Sequence, residues 1–250
     1  MYKTLRSVTS SAWLVLSHEV EKCRNALPHN CLLCDLQTNH YAEFLCQTCQ
    51  MDLPYPSFLC LGCATALTKD IRLCGTCQQS PPQYSLVTCA AYCSPLKQLI
   101  SSLKYKNNQI VAQALAHHLA RRVKELVKRQ MIDIPDFLIA VPLHSKRLRQ
   151  RGYNQALLIA TALSNILNIP ILDCVERRRN TTSQTALDVK QRECNLTNAF
   201  MLKTPIPACS VALIDDVYTT GATMNELART INIKQNLKIQ LWSVVCTTIN

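Results

Sequence analysis

Apolar runs of β type alternate with longer segments of helical spacing through most of the chain. The β-type runs are residues 85–92, 137–141, 211–214 and 238–246, and the helical segments are residues 95–106, 109–131, 156–167 and 222–233. Strands that alternate with helices are typical of a parallel sheet covered by helices on both faces. We therefore predict an α/β fold over residues 84–250.

The first third of the chain differs from the rest in composition and in its pattern of apolar residues. Residues 1–30 carry no readable motif and form an N-terminal extension, whereas residues 31–80 are rich in cysteine and lack a long apolar period. This cysteine-rich segment ends in the sequence Ser-Pro-Pro, which is typical of a linker. The sequence therefore predicts a small module over residues 31–80 that precedes the α/β domain.

Eight of the fifteen cysteines form four C-x-x-C pairs, which are Cys31/Cys34, Cys46/Cys49, Cys60/Cys63 and Cys74/Cys77. Two such turns supply the four thiolates of one tetrahedral zinc ion, so the pattern predicts structural Zn²⁺ in a zinc-ribbon-like module. The spacing leaves sequential pairing, cross-braced pairing and a single occupied site open, although the short loops favour sequential pairing. A redox C-x-x-C is the weaker alternative, because exchange chemistry needs only one pair.

The cysteines and the hydropathy pattern together indicate in which cellular compartment the protein is located. The only early apolar run, residues 12–16, is too short for the apolar region of a signal peptide. No stretch approaches the roughly 20 apolar residues of a transmembrane helix. Since metal-bound thiolates need a reducing environment, we predict a cytoplasmic protein that is not inserted in a membrane.

The segment V-A-L-I-D-D-V-Y-T-T-G-A-T, residues 211–223, is the strongest candidate for a binding site. It reads as a buried strand, two carboxylates, a hydroxyl-rich loop and a helix, and ligands of α/β sheets bind at the carboxyl ends of strands. The helix N-terminus and the hydroxyls suit a phosphate, whereas the carboxylates suit the hydroxyls of a ribose. The residues concerned are Asp215, Asp216, Thr219, Thr220, Gly221, Ala222 and Thr223. The alternative is that the aspartates merely end a strand and a threonine caps the next helix.

A basic segment follows another of the predicted strands. The string V-P-L-H-S-K-R-L-R-Q-R-G-Y-N-Q covers residues 141–155 and contains Lys146, Arg147, Arg149, Arg151 and Gly152. Arginine presents paired donors that match phosphate oxygens, so this loop is predicted to hold a pyrophosphate beside the acidic loop. The alternatives are a basic solvated turn and a nucleic-acid contact.

The net charge of +11 suits an anionic partner. Seventeen of the 27 basic residues lie within residues 97–192, which include the basic segment and the predicted helix 109–131. This is more positive charge than one pyrophosphate needs, which makes single-stranded DNA a second candidate partner. The alternative is a solvated basic face.

Two of these motifs resemble known families. The acidic loop resembles the loop of type I phosphoribosyltransferases that binds phosphoribosyl pyrophosphate (PRPP), and the basic segment with its R-G-Y-N-Q end resembles the competence protein ComF family and its GntX-like relatives. Further marks of that family are the C-x-x-C region, L-K-Y at residues 103–105, Gln184, R-E-C-N at residues 192–195 and A-F at residues 199–200. The resemblance covers nearly everything from Cys31 to Cys246.

The resemblance implies a type I phosphoribosyltransferase fold with an N-terminal zinc module and a role in natural transformation competence and DNA uptake. It implies that Asp215 and Asp216 are the catalytic acids, that Mg²⁺ accompanies PRPP, and that residues 177–192 form a hood over the substrate. An enzyme of this class displaces pyrophosphate from C1 of PRPP, with Mg²⁺ neutralising the leaving group. The alternative is a non-catalytic adaptor that binds single-stranded DNA or senses a nucleotide together with DNA-uptake proteins.

Overall fold

The computed structural model describes residues 29–38, 44–105, 109–179, 198–207, 210–233 and 236–247. By its contacts the chain forms two compact units, Met1–Asp52 and Leu53–Asn250. The segments 1–30, 31–80 and 84–250 remain a prediction about domains. The compact units divide the cysteine-rich segment, because its second half packs with the α/β part.

In the first unit, two cysteine pairs lie on short elements. Strands β1 (His29–Asn30) and β2 (Gln37–Thr38) form an antiparallel pair, and helix α1 (Gln47–Met51) begins after Cys46. The sulfur of Cys46 accepts a hydrogen bond from the N–H of Cys49 at 3.5 Å and so caps this helix. The described part of this unit therefore has little regular structure, and small modules of this kind usually depend on a metal or a disulfide.

The second unit begins with a similar arrangement. Strands β3 (Phe58–Leu59) and β4 (Ala66–Leu67) pair antiparallel, and helix α2 (Gly75–Gln79) begins after Cys74. The N–H of Leu86 donates to the carbonyl of Leu61 at 2.7 Å, which joins this segment to the first strand of the large sheet.

A parallel sheet forms the centre of the second unit. Its strands are β5 (Ser85–Val87), β6 (Ala90–Ala91), β7 (Phe137–Ala140), β10 (Ser210–Tyr218) and β11 (Lys238–Cys246). The spatial order is β5, β11, β10, β7, with β6 also beside β11, and all pairs are parallel. A separate antiparallel pair consists of β8 (Val175–Arg177) and β9 (Phe200–Leu202).

Helices connect the strands and cover the sheet. They are α3 (Leu96–Tyr105), α4 (Gln109–Lys128), α5 (Ser145–Arg151), α6 (Gln155–Leu167) and α7 (Ala222–Asn232). Helices α4 and α6 pack against each other and contact β11, β10 and β7, whereas α7 contacts β10 and β9. Among the described residues, no helix combines the length and the apolar character that crossing a membrane requires.

Strand β10 is buried over its first half. Its residues from Val211 to Ile214 are fully buried, and successive side chains of a strand point to opposite faces. Val211 and Leu213 join the cluster that contains Leu227 and Ile231 of α7, so the side chains between them face the other layer. The sheet is therefore buried on both faces, and the predicted α/β class, a parallel sheet with flanking helices beside cysteine-rich groups, is confirmed.

Two predicted strands differ from the observed ones. The strand predicted over residues 211–214 extends to Tyr218 and includes both aspartates, because its pairing with β11 continues to Tyr218 opposite Cys246. The strand predicted over residues 85–92 is interrupted at Thr88 and Cys89, where the Thr88 hydroxyl donates to the carbonyl of Val244 at 3.3 Å. The strand predicted over residues 238–246 agrees with β11.

Within the second unit, helix α4 and the residue after it hold residues 53–80. Arg122 of α4 donates to the carbonyl of Ser57 at 3.2 Å and is itself buried. Arg129, directly after this helix, forms an ion pair with Asp70 at 2.8 Å and lies 4.8 Å from the centre of the Phe58 ring. Two basic residues in the C-terminal half of α4 and just beyond it therefore have a packing role.

Candidate functional site

The acidic and basic segments lie at the adjacent C-terminal ends of the parallel strands β10 and β7. Ala140 of β7 lies opposite Ile214 of β10, and the N–H of Val141 donates to the carbonyl of Ile214 at 2.9 Å. Asp215 is the next residue within β10, and the basic segment begins where β7 ends. The two predicted loops are thus brought to one edge of the sheet, which is where α/β folds bind their ligands.

Asp215 and Asp216 form a partly buried pair of carboxyls at this edge. The N–H of Asp216 donates to Oδ1 of Asp215 at 2.8 Å, and Asp216 is buried. Burial raises the pKa of Asp215 well above its usual value, and the charge of Asp216 raises it further. An ammonium group lies against the pair, because Nζ of Lys104 on α3 is 3.0 Å from Oδ2 of Asp216.

The hydroxyl-rich loop turns the chain from β10 into α7. Gly221 is the N-cap of α7 with φ 74°, and a Cβ at this position would collide with the ring of Tyr218. Only glycine combines that backbone conformation with the close approach. The side chains of Thr219 and Thr220 are exposed, and Oγ1 of Thr220 accepts from the N–H of Ala222 at 3.4 Å. Ala222 and Thr223, both half-buried, form the first turn of the helix.

The basic segment is a short helix rather than the predicted loop. Helix α5 is capped by the imidazole of His144, whose Nδ1 accepts from the N–H of Lys146 at 3.2 Å, and it ends at Gly152 with φ 78°. Capping at both ends lets seven residues hold a helical turn that polarity alone does not predict. Of the basic side chains, Lys146 and Arg149 are exposed, and Arg147 and Arg151 are half-buried.

The three residues after Gly152 have separate structural tasks. The hydroxyl of Tyr153 donates to the carbonyl of Leu103 in the last turn of α3 at 2.7 Å. Asn154 donates to the carbonyl of Val141 at 3.0 Å and caps α6 through its side-chain oxygen. Gln155 accepts from Arg151 at 3.1 Å. The R-G-Y-N-Q string thus fixes the basic helix to the end of β7 and to α3.

Arg177 of β8 connects the basic helix with the acid pair electrostatically. Burial lowers the pKa of Arg177, the positive charge of Arg147 lowers it further, and the negative charge of Asp215 opposes both. The pKa of Arg147 is lowered by burial and then by Arg151. The Arg177 guanidinium also lies 5.4 Å from the centre of the Phe200 ring. Half-buried arginines and a buried carboxyl pair therefore share one electrostatic environment.

Two residues of this environment, Lys104 and Arg177, were not assigned to the binding loops from the sequence. The only sequence signal for Lys104 is the L-K-Y string. Arg177 is the first residue of the predicted hood, of which residues 180–192 lie outside the described part of the chain. Gln184 and the string at residues 192–195 also lie outside it.

The eight cysteines of the C-x-x-C pairs form two groups of four in sequential order. One group is Cys31, Cys34, Cys46 and Cys49, and the other is Cys60, Cys63, Cys74 and Cys77, with all sulfur atoms of a group within 4.8 Å of one another. The sulfurs of Cys34 and Cys46 are 3.6 Å apart and those of Cys63 and Cys74 are 3.7 Å apart. A zinc–sulfur bond of about 2.3 Å gives a tetrahedron with edges of about 3.8 Å, whereas a disulfide is about 2.05 Å long. Each group could therefore hold one metal ion, and the cross-braced alternative is excluded.

Each group contains one thiol with a lowered pKa. Burial raises the pKa of Cys31, but the N–H groups of Cys34, Cys46 and Leu33 outweigh it and lower the value to about 6. For Cys63, burial again raises the pKa, and hydrogen bonds led by those of Thr65 lower it to about 7. Since metals bind thiolates, these N–H and hydroxyl donors favour ligation.

Named proteins match nearly the whole chain. DNA utilization protein YhgH of Shigella flexneri is 34% identical over 227 residues, which cover 89% of this chain and 99% of that protein. Competence protein F of Haemophilus influenzae is 34% identical over 228 residues, which cover 88% of this chain and 98% of that protein. Competence protein ComFC of Streptococcus pneumoniae is 24% identical over 154 residues. No protein-family model matches the chain.

Among solved structures, a purine phosphoribosyltransferase from Pyrococcus horikoshii has a TM-score of 0.33 at 15% identity and covers 65% of this chain and 88% of that one. The adenine phosphoribosyltransferase from Saccharomyces cerevisiae has a TM-score of 0.32 at 16% identity, covering 56% and 70%. These TM-scores are low, so the fold class rests on the strand order and pairing. The sequence identity over almost the full length of the bacterial relatives is decisive, and the chain belongs to the ComF family, which contains competence protein F and DNA utilization protein YhgH.

Proposed function

We propose that this chain binds PRPP with Mg²⁺ at the edge formed by β10 and β7 and acts as a phosphoribosyltransferase-type protein in DNA uptake or use. The observation that carries the proposal is the convergence at one sheet edge of the acid pair, the loop of residues 219–223 and the basic helix α5. The names of the relatives, competence protein F and DNA utilization protein YhgH, support the biological context.

Each part of the edge has a chemical task in this proposal. The carboxylates of Asp215 and Asp216 accept hydrogen bonds from ribose hydroxyls, and the N–H groups at the start of α7 with Thr219, Thr220 and Thr223 bind the 5-phosphate. The basic helix binds the pyrophosphate through Lys146, Arg147, Arg149, Arg151 and the backbone near Gly152. Mg²⁺ supplies neutralisation of the pyrophosphate charge when it is bound with PRPP. The half-buried arginines favour anion binding, because removal from water strengthens charge interactions.

We further propose that each cysteine group holds one Zn²⁺. The sulfur–sulfur distances of 3.6 and 3.7 Å fit a tetrahedral zinc site. Zinc bound to eight thiolates requires a reducing compartment, so the proposed location is the cytoplasm.

Calorimetry with PRPP and Mg²⁺ tests the proposed ligand. Wild-type protein should bind, and Asp215→Asn with Asp216→Asn should weaken binding at least about 100-fold, because two charge-assisted contacts to ribose are lost. Asp133→Asn is the matched control, since Asp133 is exposed and lies before the start of β7, at the opposite end of the strand from the site. Equal affinity in the double variant and in wild type would remove these residues from the site. Release of pyrophosphate during incubation distinguishes an enzyme from a binding protein.

The second candidate function is single-stranded DNA binding by an adaptor, and helix α4 favours it. Arg121, Lys124 and Lys128 are exposed and recur at spacings of three and four, which places them on one face of the helix. Arg122 and Arg129 do not belong to this face, because they hold Ser57 and Asp70. The DNA contact is therefore proposed for the three exposed residues alone.

Changing Arg121, Lys124 and Lys128 to Gln should weaken single-stranded DNA binding and flatten its salt dependence. The expected loss is about 0.7 in log–log slope per phosphate contact, so about 2 for the three residues. PRPP affinity should stay at the wild-type value, whereas Arg147→Ala with Arg151→Ala should lower it. Absence of DNA binding by wild-type protein at low salt would refute the adaptor function for this surface.

A further inference from the structure

The ion pair between Lys104 and Asp216 lies inside the candidate site and is largely shielded from solvent. The atoms are 3.0 Å apart, and the side chains are 26% and 13% exposed. Exposed ion pairs contribute little, but a pair this far from solvent interacts more strongly. The lysine thus has a defined place at the acid pair of the candidate site.

Positive charge close to the acid pair favours its ionised form. Asp215 and Asp216 are adjacent, and two close carboxylates disfavour each other's ionised form. Among the described residues, the charged groups that act on the pair from packed elements include Lys104 of α3 and Arg177 of β8, with Arg147 acting on Arg177 in the opposite sense. Only an ionised carboxylate accepts hydrogen bonds from hydroxyls with both of its oxygens. The ammonium of Lys104 therefore bears directly on whether the pair can receive a sugar.

The position of Lys104 is itself fixed by the basic segment. Lys104 lies in the last turn of α3, where a positive side chain is favoured by the helix dipole. The carbonyl of the preceding residue, Leu103, accepts from the hydroxyl of Tyr153 at 2.7 Å. The last four carbonyls of a helix have no partner within it, so this hydrogen bond supplies one. Tyr153 belongs to the string that leads from the basic helix α5 to α6.

We propose that Lys104 is a positioning residue of the candidate site, which holds Asp216 as an oriented carboxylate for ribose hydroxyls, and that Tyr153 holds Lys104 in place. This proposal rests on the proposed function. Through Leu103 and Lys104, the basic half of the site is mechanically connected with the acidic half. A displacement of α5 therefore shifts Tyr153, the end of α3 and Lys104, and through Lys104 it reaches Asp216.

The test compares Lys104→Met, Lys104→Arg and Tyr153→Phe in the full chain, with Lys97→Met as matched control. Lys97 lies on the same helix and is exposed. Calorimetry with PRPP and Mg²⁺ is run at several pH values from 6 to 9, each variant against wild type at the same pH. At the low end of this pH range, Lys104→Met should weaken PRPP binding about tenfold, since one charge-assisted contact contributes about this factor. The deficit should shrink as the pH rises, because loss of the cation makes the pair hold a proton to higher pH.

Lys104→Arg should restore most of the affinity, and Tyr153→Phe should give a smaller loss with the same pH trend. Lys97→Met should bind as wild type does. A Lys104→Met protein that binds like wild type throughout the pH range overturns the proposal. So does a loss that is independent of pH and is not rescued by arginine, because that is the behaviour of a structural contact.

A second measurement separates this proposal from the proposed function. Protein labelled with ¹³C at the aspartate carboxyls is titrated without ligand, and Asp215→Asn identifies the Asp215 signal. If wild-type protein fails to bind PRPP, the proposed function fails, and the titration still decides the role of Lys104. A higher midpoint for Asp215 in Lys104→Met supports the proposal, because Lys104 lowers the pKa of Asp215, and an unchanged midpoint overturns it.

Discussion

Burial raises the pKa of Asp215, and the charge of Asp216 raises it further. A carboxyl with a raised pKa in the folded state costs stability as the pH rises above about 4, where the unfolded chain ionises more readily. Asp215→Asn should therefore raise the melting temperature of the unliganded protein at pH 7–8, by about 2–4 °C per kcal/mol regained, and the gain should vanish below about pH 4. The asparagine keeps the oxygen that accepts from the N–H of Asp216. Asp133→Asn, at an exposed carboxyl, should change nothing, and an Asp215→Asn protein that melts below wild type at pH 8 would contradict this account.

The basic residues of helices α4 and α5 have two different roles, packing and binding, which their composition does not distinguish. Both helices are rich in basic residues, yet Arg122 of α4 and Arg129 directly after it hold residues 53–80, and Arg151 of α5 donates to Gln155. On α4, the exposed charges are the ones available to the phosphate groups of DNA. A variant that neutralises every basic residue of a helix would mix a loss of packing with a loss of binding. The DNA-binding test is therefore confined to residues whose side chains are exposed.

On the scale of the whole molecule, the two cysteine groups belong to different compact units, the first to Met1–Asp52 and the second to Leu53–Asn250. Cys31→Ser with Cys34→Ser should remove one equivalent of zinc and leave the main melting transition unchanged. Cys60→Ser with Cys63→Ser should also remove one equivalent but lower that transition by roughly 5–10 °C, because the second group packs with the α/β core through Leu61 and Ala64. Metal analysis and calorimetry check both outcomes. Equal shifts in the two variants, or no zinc in the wild-type protein, would contradict the assignment.

The sequence by itself determined the alternation of strands and helices, the two candidate binding segments and the C-x-x-C ligands. Each of these follows from the types of neighbouring residues and their spacing. It also predicted the ComF family, which the relatives confirm. Only the tertiary structure decided the sequential grouping of the cysteines, since both pairings satisfy the same spacing. The helical state of residues 145–151 depends on caps at His144 and Gly152, and the place of Lys104 beside Asp216 depends on contacts between residues 112 positions apart in the chain. Such long-range contacts leave no periodic trace in the sequence, because they join residues that only the tertiary structure brings together.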